Sequence, residues 1–226
     1  MKKYIFLLFS FLVFAIAANA QYKMVITLAN GEKIEKEVWD IQNVAFEPLG
    51  SVATPDVQEA VDLGLSVKWA TKNVGASSPS DYGDYFAWGE TRPKSSYVDG
   101  QTRIATTSGH DTSRENWGGT WRMPTKAEFE ELCNGNNCKW TWTSQGGHWG
   151  YLVTSKINRN SIFLPAAGCR RGTGRYNVGE YGYYRSSTLS LSNSNFARYL
   201  NINDLVYCTD ESDFRSNGHS VRPVTE

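Results

Sequence analysis

The sequence predicts an α+β domain, and three observations lead there. One segment, Trp121–Leu132, carries the clearest helix start in the chain. Several short stretches alternate polar with apolar residues, or are β-branched and aromatic, as strands are. The remainder is full of Gly, Asn, Ser and Trp and shows no internal repeat, no coiled-coil heptad and no long helix.

The helix start is specific. Thr125 has a hydroxyl to cap the helix, and Glu128, three residues on, is placed to complete a capping box. Pro124 suits the extended residue just outside. Phe129 and Leu132 then give one short apolar stripe.

From the beginning, Lys2-Lys3 precedes an apolar run from Tyr4 to Ala17 and the small-x-small site Ala18-Asn19-Ala20. This is the layout of a secretory signal peptide over residues 1–20, and the run is shorter than the roughly 20 residues a membrane span needs. Residue 21 is Gln rather than Cys, which argues against a lipid-anchored cleavage site. The expected location is extracellular, cell-surface or periplasmic, with no membrane span after cleavage.

Residues 21–50 read as a short β unit. Val25, Thr27 and Leu28 precede Asn30-Gly31, a hairpin dipeptide. Lys33 to Val38 alternates like a half-exposed strand, and Val44–Phe46 is a third strand. The unit docks on its own domain or offers an edge to another chain. A linker at 51–56 leads to the main domain, 57–226.

In that domain Val61–Ala70 reads as a strand and Tyr82–Trp88 as a buried aromatic segment. The polar stretch from Pro93 through Asn116 reads as a long loop. After the helix come strands at Trp140–Thr143, Tyr151–Thr154 and Ile162–Leu164, the last broken by Pro165–Gly168. Beyond Gly168 the composition changes. No Trp follows Trp149, whereas Tyr recurs at 176, 181, 183, 184, 199 and 207 among Gly, Ser, Asn and Arg. Strands are expected at Tyr183–Thr188, Phe196–Ile202, Leu205–Tyr207 and His219–Val224.

The 23 basic and 23 acidic residues balance. Without a basic block, nucleic acid is not the expected partner, nor is an anionic membrane surface. Four cysteines, Cys133, Cys138, Cys169 and Cys208, form an even set in an exported chain, so disulfides are expected over zinc. Four cysteines allow three connectivities. Proximity favours Cys133–Cys138, which would leave Cys169–Cys208.

Six blocks carry a resemblance. Trp121–Phe129 is similar to the "WRLPTEAEW" stretch of formylglycine-generating-enzyme-like domains, which belong to the wider C-type-lectin-like fold. Asp62–Ala76, Gly83–Thr91, Trp121–Thr125, Ile162–Gly168, Gly182–Ser187 and Ser220–Val224 follow, in order, the recurrent stretches of the Fibrobacter succinogenes major paralogous domain family. The resemblance covers about 57–226. It implies a C-type-lectin-like domain, with one or two helices on a small twisted antiparallel sheet and many ordered loops. The family's "GYYWSS" is Gly182-Tyr183-Tyr184-Arg185-Ser186-Ser187 here. Arg in place of a buried Trp would be costly, so Arg185 is expected to face solvent or a ligand.

Chemistry is sparse. Formylglycine-generating enzymes work through a cysteine pair near the C-terminal end, but Ser220–Val224 contains no Cys, and no neighbour of Cys169 or Cys208 suggests an activated thiolate. His110, His148 and His219 stand in unrelated loop contexts. Asp81, Asp84 and Glu90 read better as turn caps and ion-pair partners than as a catalytic pair. Asp210-Glu211-Ser212-Asp213 offers oxygens for calcium but reads better as a solvated acidic turn. No cofactor is expected.

The residues after Gly168 instead have the composition of a paratope, in which Tyr supplies contact area and Asn and Ser adaptable hydrogen bonds. Tyr176, Tyr181, Tyr184, Arg185, Asn193, Asn195, Phe196, Arg198 and Tyr207 are the expected ligand face. The expected function is non-catalytic recognition, adhesin-like, of a surface glycan or a protein. The alternatives are a variable protein of a diversity-generating retroelement, whose mutagenesis would enrich Asn, Tyr and Ser in Tyr183–Asn217; an enzyme of the formylglycine-generating type; and a structural subunit of a surface fibre.

Overall fold

A computed structural model describes residues 23–27, 31–37, 58–98, 111–205 and 207–226, with backbone alone at 24, 26, 36 and 207–210. The signal peptide, the strand expected at Val44–Phe46, the linker and Asn30 lie outside the described residues. So do the side chains of Tyr207 and Cys208. The chain divides into two compact units, Met1–Pro55 and Asp56–Glu226.

In the first unit, β1 (Lys23–Thr27) and β2 (Lys33–Glu37) pair antiparallel from Lys23↔Glu37 to Thr27↔Lys33. Val25 and Ile34 are exposed.

The second unit is α+β, built of small antiparallel sheets and, among the described residues, two helices. The helix α1 (Thr112–Trp117) occupies the end of the segment expected to be loop. Asp111 caps it, accepting from the Ser113 and Arg114 amides, and also accepts from Met123 N at 2.8 Å. The longer helix, α2 (Lys126–Cys133), begins with the expected capping box: Thr125 accepts from Glu128 N and Glu128 from Thr125 N. Phe129 and Leu132 face inward.

Three sheets surround α2. The first consists of β3 (Ala60–Val61), β4 (Lys68–Ala70) and β13 (Val224–Thr225), with β4 central. Only the two ends of the strand expected at Val61–Ala70 are strand, because the chain leaves the ladder after Val61 and bends at 64–67. The second is a meander of β5 (Cys138–Gln145), β6 (His148–Ser155) and β7 (Ser161–Pro165). The third is β10 (Tyr181–Leu189), β11 (Phe196–Asn203) and β12 (Tyr207–Phe214). A small hairpin, β8 (Cys169–Arg171) and β9 (Gly174–Tyr176), precedes it. The last strand runs further than expected and takes in the acidic Asp210–Asp213 stretch. His219–Val224 is strand only at its end, and is otherwise tied in by isolated bridges such as Phe86↔His219 and Tyr184↔Ser220.

The main core gathers Leu63, Trp69, Phe129, Leu132, Val153, Leu164, Tyr184, Leu200, Ile202 and Val224. Trp69 and Phe129 meet with ring centroids 5.5 Å apart. Each large apolar side chain sealed here contributes roughly 2–3 kcal/mol. Cys138 and Cys169 are buried free thiols, so neither expected disulfide is formed. Cys138 sits in the main core, with Cys133 packed against it, and Cys169 packs with Tyr183 and Tyr199, where the two buried thiols serve as small hydrophobes.

Candidate functional site

The period-2 alternation of β10 and β11 divides the expected ligand face. Tyr184 pairs with Leu200 and Gly182 with Ile202, and this side of the sheet faces the main core. Tyr184 is fully buried and donates its hydroxyl to Pro165 O at 2.6 Å. Tyr183 and Tyr199 point the other way and pack with Cys169.

Arg185, expected at the surface, is 0 % exposed. The turn at 214–217 closes over it, and its Nη2 donates to Phe214 O at 3.1 Å and Asn217 O at 2.7 Å. Arg185 Nε and Nη1, with Ser220 Oγ and His219 Nδ1, make no hydrogen bond among the described residues. Nearby, Asp213 Oδ2 accepts from Asn217 Nδ2 at 2.8 Å and from His219 Nε2 at 3.0 Å, with Arg171 Nη2 at 3.9 Å. Burial lowers the Arg185 pKa to about 10, so the guanidinium stays charged at neutral pH. Burial and the Arg185 charge together push His219 down to about 4. The imidazole is therefore neutral, with its Nε2 proton on Asp213. Burial opposes the Asp213 charge, yet the hydrogen bonds from His219 and Asn217 and the Arg185 charge outweigh it, and the carboxyl is held well below its usual range. The arrangement is a structural knot. It ties the C-terminal segment to the sheet, and a solute meets none of its buried atoms.

The other expected face residues whose side chains are described fall in two places. Tyr176 is exposed on β9, and Tyr181 is half-buried at the start of β10, stacked on Tyr183. Asn193, Asn195, Phe196 and Arg198 come together at the opposite end, where the turn after β10 enters β11. Sequence reasoning missed their neighbours. Phe214, across the strand pair, stacks on Phe196 at 4.6 Å. Leu191 is 99 % exposed at the turn. Arg215 lies over the Trp88 ring at 4.6 Å, and Trp88 Nε1 donates to Ser186 O. The turn backbone is fixed: Arg215 N donates to Asn195 O and Arg215 Nη1 to Ser194 O, both at 2.9 Å. Asn195 N is in turn held by Asn193 Oδ1. The Phe214-Arg215 pair was legible in the sequence as aromatic beside Arg. Its place across from Phe196 depends on a register that a bulge between Tyr199 and Asn201 sets.

The acids resolve as structural. Asp81 accepts from Ser77 Oγ and Ser78 N and stabilises a turn; those hydrogen bonds lower its pKa. Glu90 pairs with Lys94 at 2.8 Å. Asp84 is partly buried, which raises its pKa. The acidic stretch lies on a strand rather than a turn. Asp213 there turns inward to His219, while Glu211 and Ser212 are exposed. Burial raises the Cys138 and Cys169 pKa values, so both remain thiols.

A second feature lies on the β5–β6–β7 meander. Its hairpin tip packs on the 77–82 loop: His148 Nδ1 is 2.8 Å from Ser80 O, and the His148 and Tyr82 rings lie 4.3 Å apart. Gly146 is required there, because its φ is +58° and a Cβ would stand 2.2 Å from Ser80 Oγ. Below the tip, on the same side as Gln145, is a shallow open cleft of about 190 Å³.

No protein-family model, no curated protein and no solved structure matches this chain.

Proposed function

We propose that the chain is an exported, non-catalytic recognition module of C-type-lectin-like architecture, related to the Fibrobacter succinogenes major paralogous domain family. Its ligand face is narrower than the composition suggests: the turn after β10, with Asn193, Asn195, Phe196 and Arg198, plus Leu191, Phe214 and the Arg215–Trp88 pair.

One observation carries this reading: exposed side chains stand on a backbone pinned by Arg215. Aromatic and Arg anchors beside adaptable Asn and Ser are what binding surfaces use, and a pre-fixed loop lowers the ordering cost of association. The same feature favours the retroelement reading as second choice, since side chains at 191–195 can change while main-chain bonds hold the turn. A near-copy of the coding region beside a reverse-transcriptase gene would mark it. The enclosed, protonated thiols of Cys138 and Cys169 weigh against thiol-based catalysis at those two positions.

The test is capture of surface glycans and surface proteins by the mature chain, beside a variant carrying Leu191→Ser, Phe196→Ala and Phe214→Ala. A second variant, Tyr176→Ala, alters the β8–β9 hairpin, away from that turn. Ligand retained by the parent and by Tyr176→Ala, and lost by the triple variant, is the expected result. Equal retention by all three would refute the assignment.

A further inference from the structure

The β8–β9 hairpin sets two arginines face to face. Arg170 and Arg175 are cross-strand partners, so strand alternation puts both on one side of the hairpin, away from Arg171 and Tyr176. Each guanidinium lies over a tyrosine: Arg170 over Tyr97 and Arg175 over Tyr85, both at 5.6 Å from the ring centroid. The rings themselves are fixed. Tyr97 donates its hydroxyl to Tyr85 O, Tyr85 donates its own to Ala167 O, and both side chains are buried. Arg170 also donates Nη2 to Thr173 O at 3.2 Å, while its Nε is buried without a partner among the described residues. Arg175 is exposed, and its guanidinium makes no hydrogen bond among the described residues. Neither arginine forms an ion pair with any of them.

Like charges directly opposite one another on paired strands repel, and here no carboxylate of the described chain offsets the repulsion. Other cations nearby are matched. Lys94, over the Tyr97 ring at 5.4 Å, is held by Glu90 at 2.8 Å, and Arg171 faces Asp213. Asp84, whose charge is felt at Tyr97, pairs with neither Arg170 nor Arg175. Burial raises the Tyr85 pKa, and the Arg175 and Arg170 charges both work against that rise, as two cations near one point do. A cation is repelled from such a place, and a neutral solute gains nothing from charges that water already solvates. An oxyanion meets two planar forks of donors. The rings hold both guanidiniums in position beforehand, so little side-chain freedom is left to lose on binding.

We infer that Arg170 and Arg175 clamp a single oxyanion. The site is separate from the β10–β11 turn and stands or falls apart from it. Because Arg175 is open to water, binding of the isolated ion is weak, on the order of millimolar. The experiment titrates the full mature chain with sodium sulfate, phosphate, acetate and glucuronate, and follows backbone and side-chain N–H signals by NMR. Sodium chloride holds the ionic strength constant, so that general screening does not change during the titration. The four probes separate a carboxylate from a sulfate or phosphate as the preferred group, and methyl glucoside is the uncharged comparator.

At least one oxyanion is expected to shift the signals of Arg170–Arg175 saturably, with methyl glucoside silent. Arg175→Gln, at an exposed position, should weaken that binding about fivefold or more. Arg171→Gln removes an equal charge from the other side of the hairpin and should change it less than about twofold. Phe214→Ala should leave it unchanged. No saturable binding by any of the four oxyanions overturns the inference, as does binding indifferent to Arg175→Gln. Equal losses in Arg171→Gln and Arg175→Gln would also overturn it, because they report a diffuse positive field rather than a clamp. Binding lost with Phe214→Ala and kept in Arg175→Gln would do the same, while leaving the β10–β11 face in place.

Discussion

Arg185 carries a full positive charge into a fully buried place, and its two good hydrogen bonds, both through Nη2 to carbonyls, satisfy only part of the guanidinium. Truncation would leave Phe214 O and Asn217 O without their donor and open a cavity. Arg185→Ala should therefore lower unfolding free energy by about 3 kcal/mol in urea titrations. Arg185→Met, which keeps the volume and removes the charge, should cost far less. His219 gives a pH test. Its folded-state value of about 4 lies below the ordinary 6.5, so the unfolded chain takes up the proton first. Its contribution is complete above about pH 6.5 and fades as the pH falls toward 4, by on the order of 3 kcal/mol. Asp213, also shifted down, adds a further loss at lower pH. Thermal melts between pH 7 and 4 should show this slope, flattened in His219→Gln; a parent with no slope would remove the neutral-imidazole assignment. The burial of Arg185 could not be read from sequence. Period-2 alternation puts Tyr184 and Arg185 on opposite faces, but only the return of residues 214–220 reveals that both faces are covered.

Where an element is decided by neighbours in sequence, it was legible. The start of α2 needed only Thr125, Glu128 and the Phe129–Leu132 stripe. The strands of the meander were visible in Trp-Thr alternation and short apolar runs. Elements that depend on distant partners were not. The pairing of β12 with β11 overrides the turn-like composition of its acidic stretch, and α1 is stabilised by an Asp111 cap shared with Met123 N. The legible element supports a sharp comparison. Thr125→Ala removes one capping bond and should cost about 1 kcal/mol. Glu128 does more: it caps Thr125 N and also receives Arg122 through Nη1 at 2.9 Å and Nη2 at 2.6 Å. Glu128→Ala should cost clearly more, about 2–3 kcal/mol. Equal losses in denaturant titrations of the two variants would show that the Arg122 fork contributes nothing.

Across the second unit as a whole, Arg222 is the central tie. Fully buried, it makes three hydrogen bonds to two distant segments: Nε donates to Asn73 Oδ1 at 2.8 Å, Nη1 to Ala70 O at 3.0 Å and Nη2 to Phe163 O at 2.9 Å. Burial lowers its pKa to about 10, so it holds its charge while its donors are well used. Arg222→Ala should cost about 3–5 kcal/mol, enough to leave a domain of ordinary stability largely unfolded at 37 °C by circular dichroism. Its role was hidden in the sequence, where His219–Val224 reads as a short strand, because its three acceptors lie up to 152 residues away along the chain.

Trp69 on β4 is flanked by Val61 on one side and Val224 on the other. The unit thus opens and closes on neighbours of one strand, about 10 Å apart by ordinary interstrand spacing. A few Gly and Ser residues would splice Glu226 to Gln58, and new termini cut at the Gly172 turn between β8 and β9 would then yield a rearranged chain with the same interior.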